Sequence, residues 1–388
     1  MSDWKEYNLR DLVICNNESV DKNYPYSKII YLDTGSITEN KIDGLQEFDL
    51  NDAPSRAKRL VKENDIIYST VRPNQLHYGF IENPPNNLVI STGFVTITCK
   101  VDTLYPRYLY YNLIQKQTTE YLHSIAEAST SAYPSLKPSD IKALEISLPP
   151  LPEQKAIASI LSSLDDKIDL LHRQNETLEK MVETIFKQWF VEEAEEDWEE
   201  VQLGEVIRTT SGGTPSRNNK SFYKNGTIKW VKSKELLGSF IIDTEEYITQ
   251  EGIKKSSAKI IPPNSVLIAM YGATVGEFAI ISDEMTCNQA VCALIPNEDY
   301  PFTYLYIWAK LNKEKLINLS SGAAQQNISQ IVIKEQLVST DIEKIKRFNL
   351  LVEPFFHKIK LIQFQIKNIA QLRDTLLPKL MSGEIRVS

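Results

Sequence analysis

Two kinds of stretch in this chain carry side chains suited to holding a polyanion. "SGGTPSRNNKSFYKNGTIKWVKSK" (211–234) has six cations, Arg217, Lys220, Lys224, Lys229, Lys232 and Lys234, and no acid. Phe222, Tyr223 and Trp230 are interleaved with them, and Thr214 adds a hydroxyl. Gly212-Gly213 would let backbone amides approach a phosphate closely while Lys and Arg neutralise it. "RAKRLVK" (56–62), with Arg56, Lys58 and Arg59, is also free of acids, as is "STVRPNQLHYGF" (69–80). Asn74, Gln75, Gln325, Gln326 and Asn327 carry amides able to pair bidentately with adenine edges, and Arg72 or Arg217 with guanine edges. Any one of these also fits a solvated surface loop. Basic loops recurring in both halves of the chain point to nucleic acid.

Reactive chemistry is missing. The sequence has no GxxxxGK[ST] phosphate loop, no GxGxxG after a strand and no HExxH. His77, His123, His172 and His357 are scattered, and no Cys/His group has zinc spacing, so neither a catalytic nor a metal residue is assigned. "ENPPNN" (82–87) is similar to the Asn-Pro-Pro-aromatic loop of adenine methyltransferases. Asn86 replaces the stacking aromatic, however, and a tight turn between strands is expected. Cys15, Cys99, Cys287 and Cys292 form neither a CxxC pair nor a disulfide framework, which suits a reducing cytosol. The acidic, mixed N-terminus is not a secretory or transit signal, and no stretch approaches the ~18 apolar residues of a membrane span. A cytoplasmic location is expected. Net charge is −8, but residues 151–200 alone hold 14 acids against 5 bases, so the whole-chain value hides basic faces elsewhere.

The elements that must position these loops are written twice. "DWKEYNLRDLV" (3–13) matches "DWEEVQLGEVI" (197–207) at an offset of 194, and "YLYYNL" (108–113) answers "YLYIWA" (304–309) at 196. "ENDIIYST" (63–70) answers "PNSVLIAM" (263–270) at 200, each reading as a turn followed by an apolar strand. Several matches in the same order mean a tandem duplication. Each half begins with about 140 residues of β-branched and aromatic runs cut by turns, with helices expected at 106–123 and 301–319. Regular strand–helix alternation is absent, so the fold class is α+β.

Each half then ends in a long helix. Ile157, Leu161, Leu164, Ile168, Leu171, Asn175, Leu178, Val182, Ile185 and Trp189 follow alternating steps of 4 and 3, a heptad seam broken only by Asn175. Phe355, Ile359, Ile362, Ile366, Ile369, Arg373, Leu376 and Leu380 repeat the pattern. Two seams in one chain most simply bury each other, antiparallel if an internal two-fold relates the copies. A helix of about 38 residues would extend roughly 57 Å. Asn175 fits either a register-setting seam position or a contact with a partner subunit.

"LPPLPEQKAIASIL…NETLEKMVETIFKQWF", the following "DWEEVQLGEV…SGGTPS" and the terminal "LLPKLMSGEIRV" resemble the specificity (S) subunit of type I restriction–modification systems over essentially the whole chain. The second copy departs from the family pattern: "STDIEKIKRFNLLVEP" (339–354) lacks the proline-rich lead-in and puts Pro354 inside the early helix. The resemblance implies two mixed α/β target recognition domains, residues 1–150 and 196–340. Two long antiparallel coiled-coil helices, 151–195 and 341–388, would join them in a pseudo-two-fold internal repeat. It implies that each domain reads half of a split double-stranded DNA target. The helices would space the readers and dock two methyltransferase (M) subunits, which carry S-adenosylmethionine and methylate adenine at N6. Restriction/motor (R) subunits would join to cut unmodified DNA using ATP. The chain itself would hold no cofactor and catalyse nothing. A duplicated coiled-coil adaptor without DNA readout and a self-sufficient methyltransferase are the competing possibilities.

Overall fold

The computed structural model describes residues 4–100, 102–128, 135–193, 199–320 and 327–387. The chain divides into two compact units, residues 1–167 with 369–388, and residues 168–368. Both are mixed α/β.

In the first unit, Val13–Cys15, Phe94–Cys99, Ile66–Ser69 and Tyr78–Phe80 form an antiparallel sheet in that order. A second sheet runs Gln46–Asp49, Lys28–Leu32, Leu88–Ser91, Ala57–Leu60, and its middle pair is parallel. Lys5–Asn8 pairs antiparallel with Glu145–Leu148. The second unit repeats this plan. Arg208–Ser211, Val291–Ile295, Val266–Ala269, Phe278–Ile281 and Phe240–Ile241 form the larger sheet. Tyr247–Ile248, Ile228–Val231 and Thr286–Cys287 form the smaller one, again with one parallel pair. Glu200–Gln202 pairs antiparallel with Leu337–Ser339.

The sequence matches become matching devices. Asn64 and Asn264 both take left-handed φ, 67° and 63°, a conformation Asn tolerates better than most residues. Their N–H groups donate to Ile81 and Ile281 carbonyls, both at 2.9 Å, turning the chain into the central strand of each sheet. Tyr108 and Tyr304 lie buried on Pro106–Leu113 and Phe302–Leu319. Each hydroxyl bonds the strand that precedes a long helix, at Ser147 O and Ser339 N, both at 3.2 Å. The helix expected at 106–123 is two, Pro106–Leu113 and Lys116–Glu127, broken where Gln115 turns to extended ψ. "ENPPNN" is the tight turn expected, with Asn83 at φ 47° donating its N–H to Glu63 at 2.6 Å.

The long helices are Leu151–Lys187, closed by a π-turn at Gln188–Glu192, and Ile342–Met381. Within the first unit, Ile157, Ala158 and Leu161 share a core with Leu376, Leu380 and Met381. Asp165 takes Arg373 at 2.9 Å, while Glu153, earlier in the chain, takes Arg386, later in the chain, at 2.6 and 2.9 Å. The two segments therefore run antiparallel there. Within the second unit, Val182 and Phe186 share a core with Phe348, Val352, Phe356 and Ile359. Leu171 and Ile362 are buried as well, whereas Leu164, Ile168, Leu178, Ile366 and Ile369 are half-buried. The second seam starts earlier than the pattern suggested, at Ile345, and Phe356 rather than Phe355 is its fully buried ring. Asn175 is 4% exposed, and neither amide atom has a hydrogen-bond partner among the described residues. Its side chain is thus already enclosed by the chain itself.

The two helices start by different means. After Pro149-Pro150, the Gln154 amide accepts from Tyr105 N–H and donates to Thr103 and Pro149 carbonyls, all at 2.9 Å, fixing the helix to the first unit. Ile342–Met381 has no prolines before it and is capped by Asp341, whose carboxylate accepts from Lys344 N–H at 2.9 Å. Pro354 lies inside this helix on its exposed side, together with exposed Leu350, whose carbonyl would otherwise take the missing N–H.

Candidate nucleic-acid interface

The acid-free segment 211–234 is not a free basic patch. Its cations fold against acids that arrive later in the sequence. Arg217 bonds Glu246 with both terminal nitrogens, at 2.5 and 3.2 Å, and its guanidinium lies 4.4 Å from the Tyr223 ring centroid and 5.0 Å from that of Trp230. Lys232 reaches Glu245 and Glu246, both at 2.8 Å, and Lys234 reaches Glu245 at 2.7 Å. Lys229 holds Asp283 at 2.8 Å and the Ile242 carbonyl at 2.7 Å. Arg217 and then Lys232 hold the Glu246 carboxyl down at about 2. Of the six cations, only Lys220 and Lys224 are exposed with no ion pair among the described residues.

The expectation that Gly212 and Gly213 lend their amides to a phosphate is corrected. Gly213 N–H donates to Cys287 O at 2.9 Å and Gly212 N–H faces Val291 O at 3.4 Å. A Cβ on Gly212 would lie 2.0 Å from Cys287 O, and one on Gly213 2.4 Å from Ala258 N. These glycines exist because backbone packs on backbone. Thr214 is exposed and donates to Gln289.

In the first unit the expected cations are freer. Arg56 and Lys58 are exposed without an ion pair among the described residues. Arg59 is half-buried, its Nε has no partner among the described residues, and burial pushes its pKa down. Arg72, Asn74 and Gln75 share one exposed loop between Ile66–Ser69 and Tyr78–Phe80. Arg72 and Leu76 flank its Pro73–Gln75 turn at φ 46° and 59°, left-handed conformations that cost a side-chain-bearing residue energy and cluster at functional loops.

The second unit places a loop at the same point of its sheet, Tyr271–Gly276, between Val266–Ala269 and Phe278–Ile281. Each loop is bridged to the segment following the unit's helical layer, Val71 to Ser135 and Tyr271 to Asn327. Of the residues expected to read bases, Arg72, Asn74 and Gln75 lie on the loop arm in one half and Asn327 on the bridging arm in the other. Asn327 is exposed on its arm, while Gln325 and Gln326 lie outside the described residues. No group of His, Cys, Asp or Glu suited to a metal ion occurs among the described residues, and no helix is long and apolar enough to cross a membrane.

The family model for the type I restriction modification DNA specificity domain matches residues 1–180 and again residues 195–340. The chain belongs to this family. The match falls once on each repeat, so both copies are specificity domains by descent. Among curated relatives, the type I restriction enzyme HindI specificity subunit of Haemophilus influenzae is 27% identical, covering 99% of this chain and 100% of that protein. The MjaIX specificity subunit of Methanocaldococcus jannaschii is 28% identical over 85% of this chain and 79% of its own length. A solved type I restriction–modification S subunit from M. genitalium aligns over 98% of this chain and 96% of its own, with TM-score 0.57 at 17% identity, a likeness of fold.

The sequence alone did not single out Glu245 and Glu246, which neutralise the basic segment, or Glu153 and Gln154, which fix the first helix. For the latter pair the signal was available, two polar residues directly after a proline cluster at a helix start. For the former it was not, because the pairing exists only once the chain has folded back.

Proposed function

We propose that this chain is the non-catalytic, target-reading subunit of a type I restriction–modification complex, each repeat reading one half of a bipartite double-stranded DNA sequence. The supporting observation is that the DNA specificity family matches twice, once per repeat, and both repeats present the same bridged loop. Loop 70–77 with Ser135, and loop 270–276 with Asn327, are the base-reading arms. Arg56, Lys58, Lys220 and Lys224 contact phosphates, which position a protein on the duplex without specifying sequence.

The two long helices act as an antiparallel spacer between the readers and as the docking site for two adenine-N6 methyltransferase subunits. S-adenosylmethionine is held by those subunits and ATP by the motor-nuclease subunits that join them, in the cytoplasm. Half-sites on one face of B-DNA lie about 34 Å apart or a multiple of that, and the adenines to be methylated must leave the stack for a pocket, here the partner's. An adaptor without DNA readout is not favoured, since it leaves the doubled specificity match without a purpose.

Mapping N6-methyladenine motifs in cells with and without this gene tests the reading. A bipartite motif should vanish with the gene, and replacing residues 1–150 by another recognition domain should change one half-site only. Unchanged methylation on deletion, or alteration of both half-sites by the swap, refutes it.

A further inference from the structure

Glu245 and Glu246 face the three cations that the acid-free segment brings together. Arg217, Lys232 and Lys234 converge on these two carboxylates over 2.5–2.8 Å. The backbone beneath the carboxylates has its own contacts. Glu235 accepts from the N–H groups of Lys232 and Glu245 at 2.7 and 2.8 Å. The Glu246 carbonyl accepts from Trp230 N–H at 3.1 Å and the Thr244 hydroxyl at 2.8 Å. The backbone that carries both acids is therefore held by contacts other than the three ion pairs.

The outermost contact is the most open to exchange: Lys234 is 58% and Glu245 52% exposed, so water screens this pair, while Lys232 is 17% and Glu246 32% exposed. A phosphate presents the same charge and acceptor geometry as the carboxylate it would replace. Left bare, three convergent cations would bind any duplex. With the two acids in place the cluster carries one net charge instead of three.

We propose that Glu245 and Glu246 are specificity-determining residues, built-in phosphate mimics that suppress sequence-independent DNA binding by the second repeat. The two carboxylates fill the cations' hydrogen-bonding positions and so weaken binding to the wrong partner. This role rests on the proposed DNA-reading function. Each phosphate contact contributes a salt slope of about 0.9, so a net gain of two positive charges steepens the slope by about 1.8 and adds about 60-fold to the rise in non-specific affinity as salt falls from roughly 1 M to 0.1 M.

The test uses the full chain assembled with its methyltransferase subunits, bound to duplexes with and without the mapped target across a salt series. Glu245→Gln with Glu246→Gln should strengthen and steepen binding to the non-target duplex and lower the ratio of target to non-target affinity. Glu284→Gln with Glu298→Gln, the same charge change elsewhere in the unit, should leave both unchanged. An unaltered slope in the first pair, or an equal rise in the second, overturns the proposal. Should the first pair fail to fold, Lys234→Gln alone decides: the proposal requires no change in the non-target slope, and a loss of about 0.9 shows that this cation already contacts phosphate. If the unaltered complex binds neither duplex, it is the DNA-reading function that fails.

Discussion

Asn175→Leu should make the protein more stable. The side chain is 4% exposed, and both its nitrogen and its oxygen lack partners among the described residues. A buried polar group left without a hydrogen bond costs about 1–3 kcal/mol. Leu has the same number of side-chain heavy atoms with the same branching, so the exchange opens no cavity, and volume-conserving swaps lose less than about 1.5 kcal/mol. The neighbours one turn away on the same helix face, Leu171 and Leu178, are apolar. A gain of about 2 kcal/mol in a unit of about 200 residues corresponds to roughly 4–8 °C in the midpoint of thermal unfolding. Differential scanning calorimetry of the full chain reads this as an upward shift in the transition of the second unit. Asn175→Asp should shift it down, because a carboxylate would then be buried without a counter-charge. A lower midpoint for Asn175→Leu would mean that the amide is bonded after all, and the reasoning would be wrong. If the amide sets register, the Leu variant gains stability while tolerating slipped pairings, which shows as heterogeneous amide signals in NMR.

Gly212→Ala should destabilise the second unit by at least about 3 kcal/mol, because its Cβ would meet the Cys287 carbonyl at 2.0 Å and neither backbone can yield alone. Urea denaturation measures it, and a neutral result refutes the packing role. Gln154→Ala should cost the first unit about 2–4 kcal/mol by stranding Tyr105 N–H and two carbonyls, read in the same assay. Glu246 has a folded-state pKa of about 2, below its ordinary 4.5, so its contribution is complete above about pH 4.5 and is lost as pH falls towards 2. An acid titration of Glu246→Gln should show a shallower loss across that window than the unaltered chain. Arg72→Gly should raise stability by about 1 kcal/mol through relief of the left-handed φ while weakening target binding, so a melt and a binding titration move in opposite directions.

The duplication was legible because the same residues perform the same local task in both copies. Asn64 and Asn264 make one turn, Tyr108 and Tyr304 brace one strand, and the heptad steps survive wherever the seam is buried. Local conformational preference and periodicity can be read from a linear string. Electrostatics cannot, because a run without acids is basic only if no acids fold onto it. Residues 211–234 lost four of their six cations to Glu245, Glu246 and Asp283. A glycine pair likewise reads the same whether backbone or phosphate is to come close, and here Cys287 and Ala258 take the space. The bridged loops were half visible, one arm from each copy, because the partner arm in each carries no distinctive residue type.

The first compact unit is completed by residues 369–388, which are made only after the whole of the second unit. Until those residues emerge, Ile157 and Leu161 have no Leu376, Leu380 or Met381 to cover them, and Glu153 lacks Arg386. A frameshift or stop codon at the start of codons 369–388 would therefore spare residues 168–368, the unit encoded just before it. The damage would fall on the unit translated first, exposing its apolar helix face to proteases and to aggregation.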